Sequence, residues 1–173
     1  MTLKELEKRV KTLQDIEEIK KMHRRYLNCL SNYQWEDMVN FFSRDAVVKI
    51  ARDEADAGKE GVGNLIKNVI GKRISPMRPK GGHLLIQPII EVNGDTATGQ
   101  WLLNRFVAQD TAKRHWQLMK GFYNYPETIE APSPECSMGK YDAEYVREDG
   151  EWKFRRLLWT MPWPEQSPKS SGK

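Results

Sequence analysis

His83 opens the apolar run His83-Leu84-Leu85-Ile86-Gln87-Pro88-Ile89-Ile90-Glu91-Val92, which turns at Asn93-Gly94-Asp95 and returns through Thr96 to Trp101. Asn and Gly tolerate the positive φ angles that tight hairpin turns demand, so this segment reads as two antiparallel strands. A titratable ring at the head of such a hairpin must face water, bond a partner or line a cavity, and histidine alone changes charge near neutral pH without further tuning. Its cross-strand neighbour depends on the turn. A two-residue turn at Asn93-Gly94 sets His83 opposite Asn104, and a three-residue turn sets it opposite Arg105. An arginine there would favour the neutral imidazole and stabilise an enolate or carboxylate on a bound molecule.

Other candidates share the closing strands. Tyr141 and Tyr145 fall on one face of a strand and Asp142 and Glu144 on the other, so a carboxylate of the second pair is a candidate partner for His83 if that face is the inner one. Arg155 and Arg156, being adjacent, are expected on opposite faces, with one able to reach an interior. His115 beside Trp116 reads as structural or exposed. His23, among Lys20, Lys21, Arg24 and Arg25, reads as part of a solvated helix face. No two histidines have ligand spacing with a carboxylate, so no metal site is expected. Six tryptophans in 173 residues suit an apolar pocket for a ring-shaped ligand. Trp35, Trp101 and Trp152 fit core positions, whereas Trp159 and Trp163 fit a cavity mouth or a subunit interface.

These residues need elements to hold them. Leu3, Leu6, Val10 and Leu13 follow a heptad-like seam, and Ile16, Ile19, Met22, Tyr26, Leu27 and Leu30 continue the stripe, so residues 3 to 30 read as one long helix or two in series. The first turns look like an arm that packs on another subunit. A second helix is expected over Tyr33 to Phe42, a strand over Ala46 to Ala51 and a small helix from Gly61 to Ile70. Gly61-x-Gly63 lacks the remaining residues of a phosphate cradle. A basic loop follows over Lys72 to Lys80, then the hairpin, whose second strand runs from Thr96 to Gln109. Asp110 to Pro134, with Trp116, Phe122, Tyr123 and Tyr125, reads as an extended flap. Met138 to Arg147 and Glu151 to Trp159 form a second hairpin around Asp149-Gly150. Helices first and mostly antiparallel strands afterwards give an α+β layout, one curved sheet wrapping the helices around an interior.

The chain is long enough for one domain with a real core. The expected division is an arm at 1–14, the domain at 15–161 and a disordered tail at 162–173. Its 28 basic residues are dispersed among 24 acidic ones for a net charge of +4, a pattern that argues against nucleic-acid binding. Cys29 and Cys136 lack Cys-x-x-Cys spacing and no hydrophobic leader precedes them, so the expected compartment is the reducing cytoplasm. No apolar run approaches the roughly 18 residues of a membrane-spanning helix.

The segments DIEEIKKMHRRYLNCLSNYQWEDMVNFFSRDAVV, HLLIQPIIEVNGDTATGQW and YDAEYVREDGEWKFRRL, in that order, resemble the SnoaL-like branch of the nuclear-transport-factor-2-like (NTF2-like) superfamily. Within it the chain looks most similar to bile acid 7α-dehydratases and more distantly to scytalone dehydratase-type lyases. The resemblance spans roughly Asp15 to Leu158 and implies a cone-shaped α+β fold enclosing a pocket. It places His83 at the family's basic histidine and Tyr26 at its first-helix tyrosine. Where the family often has an aspartate after the first-helix Cys-Leu pair, this chain has Ser31. Where it has a second carboxylate shortly after Trp101, this chain has Asn104 or Arg105.

The resulting expectation is a cofactor-independent lyase of dehydratase type acting on an apolar ring-bearing molecule. His83 and Tyr26 are its catalytic candidates; Ser31, Trp101, Asn104, Arg105, Tyr141 and Tyr145 contact the substrate. An isomerase or cyclase could use the same base, and loss of both carboxylates favours a non-catalytic binding or assembly module as the alternative. A homodimer or homotrimer is expected from the leucine seam.

Overall fold

Helix α1 runs unbroken from Leu3 to Ser31, one helix rather than two. It begins in a capping box, in which the Glu5 N–H donates to the Thr2 hydroxyl and the Thr2 N–H donates to the Glu5 carboxylate at 2.7 Å, satisfying donors that a helix start otherwise leaves open. This computed structural model describes residues 1–50, 53–74, 82–106 and 137–160. The expected flap at 110–134 with His115, the end of the second hairpin strand, most of the basic loop, Cys136, Trp163 and the C-terminal tail lie outside the described residues.

After α1 come α2 (Trp35–Val39), β1 (Phe42–Ile50), β2 (Asp53–Glu54) and α3 (Lys59–Asn64), which continues as a π-helical stretch over Leu65–Gly71 and a last turn at Lys72–Ile74. Then follow β3 (Gly82–Asn93), β4 (Thr96–Phe106), β5 (Ser137–Glu148) and β6 (Glu151–Thr160). The expected helix over 33–42 is thus short, and β1 takes over at Phe42. Phe42, Ala46 and Val48 are buried there, and the Phe154 N–H donates to the Phe41 carbonyl at 2.8 Å. Sheet pairing therefore outcompetes helix propensity in this segment.

The six strands lie in the order β2-β1-β6-β5-β4-β3. All neighbours are antiparallel except β1 and β6, which are parallel. Helix α1 lies across the inner face. Ile19, Met22, His23, Tyr26 and Leu27 from the helix meet Trp101, Leu103, Tyr141, Tyr145, Phe154 and Leu157 from the sheet, all buried. Each large apolar side chain so covered is worth about 1.5–3 kcal/mol of transfer free energy, which is what anchors the second half of α1 to the sheet. Residues 3–14 of α1 extend beyond this contact, with no buried residue before Asp15.

Asp15 marks that boundary. It is 3% exposed, receives a hydrogen bond from Lys11 at 2.9 Å and pairs with Arg147, whose guanidinium also lies over the Trp152 ring. Burial alone would raise its carboxyl, but the hydrogen bond from Lys11, the charge of Arg147 and the Trp152 N–H together hold it below the usual carboxylate range. The cluster pins α1 to the β5–β6 hairpin.

Two bulges set which side chains point inward. Pro88 has no N–H for the ladder, and Gln87 before it takes a φ of 51°. The register slips by one residue between Ile86 and Ile89, as expected where a strand accommodates proline. The second bulge lies between Phe154 and Arg156. It cancels the alternation expected of Arg155 and Arg156: both are exposed, Arg155 beside Asp45 and Arg156 beside Glu144. Neither reaches the interior.

Candidate functional site

The end of α1 meets the start of β3. Ser31 is the last helical residue, and its Oγ lies 2.8 Å from Nδ1 of His83. Both are half-buried. The serine hydroxyl can accept from Nδ1–H, which makes Nε2 the basic nitrogen of the neutral ring. The negative end of the helix dipole falls at the same place and favours a cation on the ring once a proton has been taken up.

Arg105 is the direct cross-strand partner of His83. The route to this pairing differs from either turn considered from sequence. The loop is Gly94-Asp95, with Asn93 opposite Thr96, which alone would carry His83 to Phe106. The bulge at Gln87-Pro88 returns it by one position. Arg105 thus shares the inner face with Trp101 and Leu103. Asn104, opposite Leu84 and Met138, lies on the outer face, where it does not meet His83.

Tyr33 was not singled out from sequence, and it belongs to this site. Its φ is +58°, a left-handed conformation that costs a non-glycine residue about 1–3 kcal/mol and persists where surrounding structure demands it. It lies two residues past Ser31, and its ring stacks on Trp35 at 5.1 Å and 21°. Burial raises its hydroxyl above the ordinary phenol range, and the charge of Arg105 pulls it partly back, so the two groups share one electrostatic environment. Trp35 is half-buried and packs against the core, as expected, while its ring carries the stacked Tyr33. The only hint in the sequence was an aromatic residue placed directly after a helix C-terminus.

The other aromatic candidates form a separate, deeper cluster. Tyr26 is 1% exposed and packs against His23, Phe41, Phe42 and Phe154. Its hydroxyl is hydrogen-bonded with Tyr141, and burial holds it well above the usual phenol range. Its partner is Tyr141, not His83. Tyr145 is likewise buried and pushed up, chiefly by desolvation, and accepts the Trp101 indole N–H at 2.8 Å. Asp142 and Glu144 are on the outer face, paired with Lys140 and Arg156, so neither completes a dyad with His83. Trp159 is buried with its ring over Gly139, where a side chain would collide.

His23 is the largest departure from expectation. It is fully buried, with Nδ1 3.2 Å from the Tyr145 hydroxyl and the rings of Trp101, Tyr141 and Phe154 around it. Indole N–H can only donate, so the Tyr145 oxygen receives Trp101 and its own proton goes to His23 Nδ1. The proton of the neutral imidazole is then on Nε2, which has no hydrogen-bond partner among the described residues. Desolvation lowers this histidine to about 3. The basic residues around it in sequence concealed that position 23 continues the apolar stripe of Ile19, Met22 and Tyr26. Among the described residues no group of three or more His, Cys, Asp or Glu side chains is arranged to hold a metal ion.

A family model described as a SnoaL-like domain matches residues 11–157. The chain belongs to the SnoaL-like domain family. No curated protein matches the sequence. Among solved structures, the SnoaL-like chain is similar to an NTF2-like protein with a cystatin-like fold from Novosphingobium aromaticivorans, at 18% identity and a TM-score of 0.67 over 96% of this chain and 92% of that one. It is also similar to a hexachlorocyclohexane dehydrochlorinase from Novosphingobium barchaimii, at 20% identity and 0.60 over 87% and 88%. A candidate scytalone dehydratase from N. aromaticivorans matches at 17% and 0.60 over 93% and 97%. At these identities the likeness establishes the shared α+β cone of the SnoaL-like domain.

Proposed function

We propose that this SnoaL-like protein is a cofactor-independent lyase of dehydratase type, acting on an apolar ring-bearing molecule such as a steroid, polyketide or aromatic compound. The observation that carries the reading is the Ser31–His83 hydrogen bond directly across from Arg105. It sets an oriented imidazole and a guanidinium-bearing residue on one sheet face.

In the proposed reaction, Nε2 of His83 takes a proton from the carbon next to a substrate carbonyl. The electron pair moves into the carbonyl, and the enolate oxygen is held by Arg105. The pair then returns to form a carbon–carbon double bond as the neighbouring hydroxyl leaves. Tyr33 gives that hydroxyl its proton, so the products are an unsaturated carbonyl compound and water. Tyr33 takes the role first expected of Tyr26, whose hydroxyl is engaged with Tyr141. Tyr33 and Trp35 supply a stacked aromatic wall suited to a ring.

The test is turnover of ring-bearing β-hydroxy ketones, followed by ultraviolet absorbance of the conjugated product, together with calorimetric binding of the same compounds. His83→Ala should leave affinity within a few fold and lower turnover by roughly 10²- to 10⁴-fold, the usual contribution of a positioned general base. Ser31, which cannot carry the charge of a carboxylate, favours a second reading as a small-molecule-binding module. That reading predicts binding without turnover in the wild type.

A further inference from the structure

Two residues near the candidate site go against local backbone preference, and both meet the same indole. Tyr33 is the first. The Gln34 N–H donates to the Cys29 carbonyl at 2.9 Å and the Tyr33 N–H to the Leu30 carbonyl at 3.3 Å, the paired bonds of a Schellman cap at the end of α1. Tyr33 is the left-handed residue of that cap, at a φ of +58°. Glycine is the usual occupant, because it reaches positive φ with no Cβ to clash.

Gly71 is the second. It is buried at the last position of the π-helical stretch Leu65–Gly71, inside a helical run that continues over residues 59–74. Its φ is not positive, so alanine would suit this backbone better than glycine does. What glycine provides is room. A Cβ here would lie 3.0 Å from the Ile66 carbonyl oxygen, five residues back, and 3.2 and 3.3 Å from Nε1 and Cδ1 of Trp35.

Trp35 in turn stacks on Tyr33 at 5.1 Å and 21°, so the bare Cα of Gly71, the indole and the phenol follow one another in contact. The base of this series is fixed. Leu65, Ile66 and Ile70 of the π-helical stretch are buried, and Lys67 donates to Glu36, beside Trp35, at 2.8 Å. A π turn closes its hydrogen bonds five residues back instead of four, which redirects the residues that follow, and such turns are rare and recur at functional sites. Departures from local preference collect where function or strain overrides them. Here tyrosine stands where glycine is favoured and glycine stands where alanine is favoured, on the two sides of one tryptophan.

We infer that the π-helical stretch holds Tyr33 in place through Trp35, with Gly71 as the positioning residue on which the proposed proton donor depends. The inference rests on the reading of Tyr33 as the group that protonates the leaving hydroxyl, and its test is read first without substrate.

The full chain is labelled with 3-fluorotyrosine and observed by ¹⁹F NMR, with circular dichroism as the check on folding. Of the six tyrosines, Tyr33 is the one whose resonance Tyr33→Phe removes. Gly71→Ala should move the Tyr33 resonance more than any other. It should also lower the ionisation midpoint of Tyr33 toward that of an ordinary phenol, because burial is the larger influence on it and the charge of Arg105 the smaller. Turnover should lose about 3- to 10-fold in kcat with KM within about twofold, since a misplacement of about 1 Å costs roughly 10²-fold and the indole gives way by less. Trp35→Phe lacks the five-membered ring that meets Gly71, so in that background Gly71→Ala should add nothing to either effect. A Tyr33 resonance unmoved by Gly71→Ala, or moved equally in both backgrounds, overturns the inference. If Gly71→Ala alone fails to fold, a folded Trp35→Phe/Gly71→Ala chain supports it and an unfolded one overturns it. A Trp35-dependent shift in a wild type that turns nothing over would sink the lyase reading and leave the hold of Gly71 on Tyr33 supported.

Discussion

Ser31 Oγ lies 2.8 Å from Nδ1 of His83, joining the last residue of α1 to the second residue of β3. A hydroxyl orients the ring as a carboxylate would but carries no charge, so in the proposed reaction the imidazolium would be supported mainly by the end of the helix. Ser31→Asp should favour the protonated ring and move the acidic limb of the rate profile to higher pH. Ser31→Ala should lower kcat about tenfold and stability by about 0.5–1.5 kcal/mol, the net value of one hydrogen bond. An acidic limb unchanged in Ser31→Asp would mean that the serine does not face the working histidine.

Arg105 stands opposite His83 on the neighbouring strand. A nearby cation disfavours the imidazolium, so Arg105→Ala should also shift the acidic limb to higher pH, while lowering kcat through loss of enolate stabilisation. Arg105→Lys should keep the limb in place and recover only part of kcat, because an ammonium restores charge without the guanidinium fork. Equal losses in both variants with no movement of the limb would assign Arg105 a packing role.

The strands, both hairpins and the long first helix were legible because each rests on local pattern: alternation, Asn-Gly and Asp-Gly turns, and a helical stripe. The facing of individual side chains was not. Sequence alternation placed Arg155 and Arg156 on opposite faces and left His83 between two partners, and in each case a bulge decided the outcome. A bulge changes every facing beyond it while leaving the hydrophobic pattern intact, and Pro88 was its one visible marker. His23 was misplaced for another reason. Four basic neighbours outweighed its position on the apolar stripe, because charge is read locally and burial is set by the whole sheet. The Ser31–His83 pair joined positions that only the family resemblance connected, and Tyr33 had no marker until its backbone conformation was seen.

Gly99 tests the deep aromatic cluster. A Cβ at this position would fall 2.8 Å from the Tyr145 ring and 3.2 Å from the Trp101 indole nitrogen. Gly99→Ala should therefore displace Tyr145, break the Trp101–Tyr145–His23 chain of hydrogen bonds and cost about 1–3 kcal/mol, the usual penalty of overpacking. Combining it with Tyr145→Phe should cost less than the sum of the two single changes, because both disturb the same contacts. Full additivity in urea unfolding would place the clash elsewhere.

His23 ties stability to pH. Burial lowers it to about 3 from its ordinary 6.5, so between those values the unfolded chain binds a proton that the folded chain refuses. The number of protons bound is then greater in the unfolded state, and stability rises with pH across that window. Below about pH 6 the loss approaches 1.4 kcal/mol per pH unit from this residue alone. Asp15, held below 3.8, has a folded form that protonates only at still lower pH, so its contribution is essentially intact at pH 4.5 and above. His23→Gln retains an acceptor for the Tyr145 hydroxyl and does not titrate. Urea unfolding of the wild type at pH 4.5, 5.5, 6.5 and 7.5 should show the slope, and the variant should lose most of it while folding normally at neutral pH. If the slope persists in His23→Gln, the acid sensitivity belongs to another group, and the buried neutral histidine is not its source.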